Sequence, residues 1–310
     1  MIYISEFSFP SADDEWGFFM QKSASCYTNY YPFQLLPERN IDHIDFMPVT
    51  ILHGGNGSGK TTILNIIAEY LIKESEKHLR KKRSCGSFVR SAPFNKSCFF
   101  RDYLEYCDAT IENRIENDSQ IITSDDVFDY ILNIRDKNEG IDRRRDDTIE
   151  EYNEYRHRRY KFDSLDDYED LKKMNDAKSK STSQYVKSRT TIHNIREHSN
   201  GESALNYFIE RLTDNGLYIL DEPENSLSPE NQIKLAEYIN DSARFFGCQF
   251  IISTHSPFML SIPHSRIYDL DDGQFRVRKW TELNNVRQYY NFFRQHKDEF
   301  ERQWENLFKH

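Results

Sequence analysis

The chain has 310 residues, 37% of them hydrophobic and 30% charged, with a formal net charge of −10. That length supports a large packed core, and 22 Phe with 19 Tyr exclude a disordered chain. The acidic balance excludes a surface that binds polyanions everywhere, although local basic clusters keep nucleic acid open as a partner.

Cys26, Cys85, Cys98, Cys107 and Cys248 form no C-x-x-C pair and are odd in number, so neither a disulfide framework nor a zinc site is expected. The opening MIYISEFSFPSADDEW lacks a basic n-region and a long apolar run, unlike a signal peptide. No stretch approaches the ~18 apolar residues that span a bilayer. The expectation is a cytoplasmic protein with no membrane partner.

The first fifty or so residues read as β structure, from the aromatic and β-branched run Ile2 to Phe9 to the apolar MPVTIL at 47–52. Thr61 to Ile72 is apolar on nearly every face and reads as a buried helix. A basic stretch at 77–83 follows, and QIIT at 120–123 reads as a short strand. From 125 to 198 the chain is polar and helical in pattern, and ESALNYFIERL at 202–212 is an amphipathic helix. Strand LYIL (217–220), a helix from Glu230 to Phe246 and strand QFIIS (249–253) then alternate. RIYDL (266–270) and FRVRKW (275–280) read as further strands, and 282–308 as one long helix. Alternating strands and helices imply a largely parallel sheet. The expected organisation is an α/β core (1–124 and 199–281), a helical insert (125–198) and a C-terminal helix (282–310).

Between the strand at 47–52 and the helix after it lies Gly54-Gly55-Asn56-Gly57-Ser58-Gly59-Lys60-Thr61, which fits G-x-x-x-x-G-K-[ST] in full. Glycines let the backbone turn successive N–H groups toward phosphate oxygens, and the following helix adds its positive end. Lys60 offers a charge to the β- and γ-phosphates of ATP, Thr61 a hydroxyl to Mg²⁺, and Thr62 continues the set. The strand at 217–220 delivers Asp221 and Glu222 to its carboxyl end. One carboxylate suits Mg²⁺, and the other a general base for the attacking water.

The run Asp221-Glu222-Pro223-Glu224-Asn225-Ser226-Leu227-Ser228 resembles the Walker B, catalytic glutamate and D-loop of ABC/SMC-like ATPases. His198-Ser199-Asn200-Gly201-Glu202 resembles their signature motif, and His255 in QFIISTHSP their switch histidine. The order of these motifs matches that class over 54–257, and within it the chain looks like the AAA-type ATPases of bacterial anti-phage defence, the Septu-type and OLD-like proteins. The resemblance implies a P-loop NTPase fold with an ABC-ATPase-like mixed sheet and a helical insert. It implies a homodimer or higher oligomer in which Ser199, Asn200, Gly201 and Glu202 of one copy cap the ATP held by Lys60 of the other, and a protein effector as partner. His255 joins Glu222 as a catalytic candidate.

The chain departs from the family pattern at His198 for Leu, Asn200 for Gly and Ser228 for Asp, and no glutamine stands where the Q-loop lies. Asp125, in the turn Ser124-Asp125-Asp126, is the candidate to supply the missing metal or water contact, with a plain helix cap as the other reading. A transporter's ATP-binding subunit and a non-hydrolysing scaffold are the alternative functions. Basic clusters at 77–83, 143–145 and 156–161 are interspersed with acids and read first as solvated, internally paired faces.

Removing the loop's one charged side chain tests the phosphate-loop reading. Lys60→Ala should abolish tight ATP binding in a nucleotide titration; unchanged affinity would remove that assignment.

Overall fold

The computed structural model describes residues 1–22, 29–37, 41–80, 88–90, 99–116, 118–157, 168–190, 200–271 and 275–301, with the side chains of 77–80 and 200 excepted. The chain runs β1 (Ile4–Ser8), α1 (Ala12–Gln21), β2 (His43–Asp45), β3 (Val49–His53), α2 (Lys60–Arg80), β4 (Val89–Arg90), α3 (Phe100–Tyr103) and β5 (Asp108–Ile111). It continues with β6 (Gln120–Thr123), α4 (Ser124–His157), α5 (Tyr168–Ser179), α6 (Thr182–Arg189), α7 (Asn200–Arg211), β7 (Leu217–Asp221) and α8 (Pro229–Phe245). The last elements are β8 (Gln249–Thr254), α9 (Pro257–Leu260), β9 (Arg266–Asp269), β10 (Arg276–Arg278) and α10 (Asn284–Gln295).

Seven strands form a mixed sheet in the order β10-β9-β3-β8-β7-β6-β4, parallel throughout except for the edge pair β9–β10. Its centre is set by sequence. VTILH and QFIIST are buried at every position, and LYIL at all four, as strands covered on both faces must be. Leu217, Ile219 and Ile251 join one core cluster with Ile63, Leu64, Ile66 and Ile67 of α2. The alternate positions Tyr218, Leu220, Phe250 and Ile252 are equally buried and, by the period of two, face the other side. Residues 54–62, Asp125, Asp221, Glu222 and His255 stand at or just past the carboxyl ends of β3, β6, β7 and β8, where open α/β sheets bind ligands.

The first fifty residues depart from an all-β reading. Ser11 begins a capping box with Asp14, each side chain bonding the other's backbone N–H, and α1 follows. Acidic residues Asp13, Asp14 and Glu15 fill its first turn, where the helix dipole favours them. β1 pairs antiparallel with β2 and β5 in a separate three-stranded sheet. Gln249, fully buried at the start of β8, joins the two sheets: its Oε1 accepts from the N–H of Tyr3 (2.7 Å) and Ile4 (3.0 Å), and its Nε2 donates to the Ile4 carbonyl (2.8 Å).

The chain divides into two compact units, Met1–Val127 with Asn200–His310, and Phe128–Ser199. The second is helical, with a small core of Tyr152, Ala177 and Tyr185. Glu151 binds both Lys173 (2.9 Å) and Arg189 (3.3 Å) within it. Arg143 pairs with Glu139, and Arg145 with Asp142 at 2.9 Å, so two arginines of the 143–145 cluster are matched along their own helix. Residues 282–310 fall in the first unit, and the long helix expected there is interrupted. α10 ends at Gln295, His296 leaves helical geometry (φ −97°, ψ 12°), and helical backbone resumes over 297–301. The asparagines, tyrosines and phenylalanines of α10 are weak helix formers, and the His296 ring nitrogen engages Glu299 at 2.8 Å.

Gln249→Leu preserves volume but strands two backbone donors and one acceptor in the interior. It should destabilise the fold by about 2–4 kcal/mol, read as a lower denaturant midpoint; a midpoint equal to wild type would mean the two sheets do not depend on this side chain.

Candidate active site

The glycine loop between β3 and α2 curls through backbone that only glycine adopts without strain, with φ +80° at Gly57 and +95° at Gly59. Asn56 to Thr62 line a cavity of about 420 Å³ together with Leu35 and Glu222. Lys60 is 4% exposed; its ammonium donates to the carbonyls of Gly54 (2.6 Å) and Gly55 (3.1 Å) and lies 3.5 Å from Glu222 Oε1. Thr61 Oγ1 donates to Asp221 Oδ1 at 3.1 Å. Thr62 Oγ1 accepts from the Tyr31 hydroxyl at 3.0 Å. The loop and the acidic strand end, 160 residues apart in sequence, are thus in direct contact.

Burial pushes the Asp221 carboxyl above its ordinary range, against the hydroxyls of Ser253 and Thr61 and the charge of Lys60, which pull the other way. A half-buried carboxylate beside a hydroxyl is a set of hard oxygen donors, and it fits Mg²⁺. Glu222 takes left-handed backbone (φ 47°, ψ 56°), which costs a non-glycine residue roughly 1–2 kcal/mol. Ser253, opposite Asp221 in β8, stabilises that turn. Its hydroxyl donates to Asp221 Oδ1, and its Oγ and carbonyl oxygen accept from the Glu222 N–H at 3.0 and 3.1 Å. Glu222 Oε2 accepts from Asn225 Nδ2 at 3.0 Å.

His255 follows β8 and is fixed by Glu224, which is buried. Glu224 Oε1 accepts from the His255 N–H (2.8 Å) and from Thr254 Oγ1 (2.7 Å), and lies 3.2 Å from His255 Nδ1. Ser228, at the D-loop aspartate position, caps α8 by accepting from the Asn231 N–H at 3.4 Å. Serine and aspartate are interchangeable in that task, which accounts for the departure.

Of the signature segment, His198 and Ser199 lie outside the described residues. Asn200, Gly201 and Glu202 form the first turn of α7, and a Cβ on Gly201 would sit 3.6 Å from the Ser228 N. Asp125 is exposed, and among the described residues no hydrogen bond or ion pair joins it to Thr61 or Asp221. Its neighbour Asp126 is buried and accepts from the N–H and Oγ1 of Thr123, both at 2.8 Å. The turn that stands where a Q-loop glutamine is expected therefore works as a helix cap here, one strand from Asp221.

Three site residues carry no local signal in the sequence. Ser253 is one. Asp271, just past β9, accepts from the Gly55 N–H at 2.5 Å and lies 3.8 Å from His53 Nε2. Burial pulls the His53 imidazole below its usual range, partly offset by Asp269 and Asp271. Arg90, ending β4, pairs with Glu69 at 3.2 Å and donates to Asn65 Oδ1 at 2.6 Å. Burial lowers its guanidinium's affinity for the proton, and the fields of Glu69, Asp126 and Asp221 raise it.

The chain matches the ABC transporter family over residues 44–225, more than half its length. The protein belongs to the ABC transporter family. A second match, to the AAA ATPase domain, covers 202–260. It is an ATPase of the ABC type, built to bind and hydrolyse ATP, and no helix among the described residues is long and apolar enough to cross a membrane. No curated protein matches it. Among solved structures, an Smc head bound to the C-winged helix domain of ScpA is 18% identical, with 76% of this chain and 92% of that one covered and a TM-score of 0.37. The Smc head from Pyrococcus furiosus bound to the C-terminal domain of ScpA is 15% identical (76% and 91% covered, TM-score 0.35). A dimeric bacterial ABC transporter cassette is 16% identical (77% and 88% covered, TM-score 0.35).

Asp271 braces the back of the phosphate loop, so Asp271→Ala should weaken ATP binding about tenfold, while Asp271→Asn, whose amide oxygen still accepts from Gly55, should remain near wild type. Equal affinity of the alanine variant and wild type in a nucleotide titration would show that the loop holds its shape unaided.

Proposed function

We propose that this ABC-type ATPase is a molecular switch in which two copies close over shared ATP and reopen on hydrolysis. The observation that carries the reading is the convergence of Lys60, Thr61, Asp221 and Glu222, linked by contacts of 3.1 and 3.5 Å across two strand ends. In it, the amides from Gly54 to Thr62 wrap the phosphates and Lys60 turns from the loop carbonyls to the β- and γ-phosphates. Thr61 and Asp221 hold Mg²⁺, which neutralises phosphate charge when bound.

Glu222 takes the proton of the attacking water. Its strained backbone, clamped by Ser253, aims the carboxylate at the mouth of the loop without a reorganisation step. His255, oriented by Glu224, serves as a second polar group on the γ-phosphate side. Ser199 and the amides of Asn200, Gly201 and Glu202 cap the ATP held by the other copy, a helix N-terminus placed against an anion. The helical unit around α4 to α6 conveys the nucleotide state to a protein effector. We place this switch in bacterial anti-phage defence; within the ABC/SMC-like class that the motif order over 54–257 resembles, the chain looks like the Septu-type and OLD-like ATPases, and that resemblance supports the setting.

Glu222→Gln removes the base and leaves the metal ligand, so ATP should bind and stay. Light scattering should then find a dimer that needs ATP and Mg²⁺ and is absent with ADP. Adding Ser199→Arg should abolish that dimer and spare nucleotide binding by the single copy. A Glu222→Gln protein that gains no association with ATP, or a double variant that associates as well as the single one, would rule out the shared site.

A further inference from the structure

α10 is buried against the rest of its unit only at its first turn. Leu283, just before it, is fully buried, Val286 is the helix's one buried residue, and Asn285 Nδ2 donates to the His255 carbonyl at 3.1 Å. Beyond that turn the aromatic side chains lie in the open: Tyr289 is 47% exposed, Tyr290 65%, Phe292 55% and Phe293 53%, with Phe300 at 50% in the helical stretch that follows. Val286, Tyr289, Tyr290 and Phe293 recur at spacings of three and four, so they share one face, and Phe293 continues the row by ring contact with Phe300 at 6.0 Å. This face also borders an apolar groove of about 570 Å³ against Trp280 and Phe258.

The helix is polar on average, and its apolar surface is gathered on one exposed face. Five aromatic rings, each about half exposed, leave on the order of 500 Å² of apolar surface open, as large as the biggest patch on a typical monomer. Two such patches face to face would bury roughly 1,000 Å², the size at which a specific interface begins. The patch runs along α10 and on through Phe300 in the helical stretch that follows, and an apolar patch of this kind can pack on its own copy, as a two-fold interface requires.

Charge sets the direction. Arg287 and Arg294 lie on the first part of this segment, whereas Asp298, Glu299 and Glu301 lie on the last, with Lys297 already bound to Glu301 at 3.1 Å. Antiparallel pairing sets the basic α10 of one copy against the acidic stretch 297–301 of the other. Parallel pairing sets like against like.

We propose that α10 is a dimerisation helix, whose aromatic face packs antiparallel on the same face of a second copy without need of nucleotide. This interface is separate from the shared ATP site. A chain that used both would associate through α10 at all times and through the ATP site only when ATP is bound.

The test uses the full chain at micromolar concentration without nucleotide, by size exclusion with light scattering. Wild type should run as a dimer, and Tyr290→Asp with Phe293→Asp as a monomer whose circular dichroism and ATP affinity match wild type. Arg287→Glu with Arg294→Glu should weaken the dimer at least tenfold, and adding Asp298→Lys with Glu301→Lys should restore it. A monomeric wild type, or a dimer that survives the double aspartate variant, overturns the proposal; failure of charge reversal to restore the dimer overturns the antiparallel arrangement. Association of Glu222→Gln with ATP, measured in the double aspartate background, reports the nucleotide interface alone.

Discussion

The hydrogen bond from Thr61 to Asp221 joins the first turn of α2 to the end of β7, and the chemistry at this sheet edge is organised around it. Asp221 is a carboxylate driven into the protein, where an unpaired charge is costly. Its burial raises its hold on a proton, and hydroxyls from Thr61 and Ser253 together with the nearby ammonium of Lys60 offset that tendency. A carboxylate and hydroxyls gathered in this way are the hard oxygen donors that Mg²⁺ would take. The same acid lies beside Glu222, whose strained backbone is tolerable because Ser253 bonds its N–H twice.

This arrangement depends on strand register. Thr123, Asp221 and Ser253 lie at the ends of neighbouring strands, and the pairings set each beside the next. A slip of one residue in β8 would turn Ser253 to the other face of the sheet and leave Asp221 and the Glu222 N–H without their partner. Gln249 at the opposite end of the same strand bonds the backbone of β1. The strand that supports the catalytic turn is thus also the one that carries the second sheet.

α10 follows a different rule. The core elements bury their apolar residues within the chain, whereas α10 presents most of its own to solvent. Its amphipathic pattern is as regular as that of a core helix. What differs is that only its first turn is buried against the rest of the unit, while its aromatic face stays about half exposed beside an apolar groove.

Much of the site was legible in the sequence because it rests on local patterns. A glycine loop must be contiguous to curl around phosphate, and adjacent acids at the end of an apolar run must emerge together from a strand. Residues 54–62, Asp221 and Glu222 needed no knowledge of the fold. The strands at 120–123, 217–220 and 249–253 were equally plain, since buried parallel strands are short apolar runs. The helix α1 was readable from its capping box but was masked by the aromatic residues around it. Ser253, Asp271 and Arg90 were not readable at all: a serine inside a strand, an aspartate after one and an arginine ending another acquire their roles only from neighbours far along the chain. Asp126 rather than Asp125 turned inward because the cap geometry of Thr123 chose between two adjacent carboxylates. Local spacing determined which groups the chain carries for phosphate and metal. Tertiary pairing alone decided which distant hydroxyl, carboxylate or guanidinium would hold them in place, because those contacts join strands that the sequence keeps far apart.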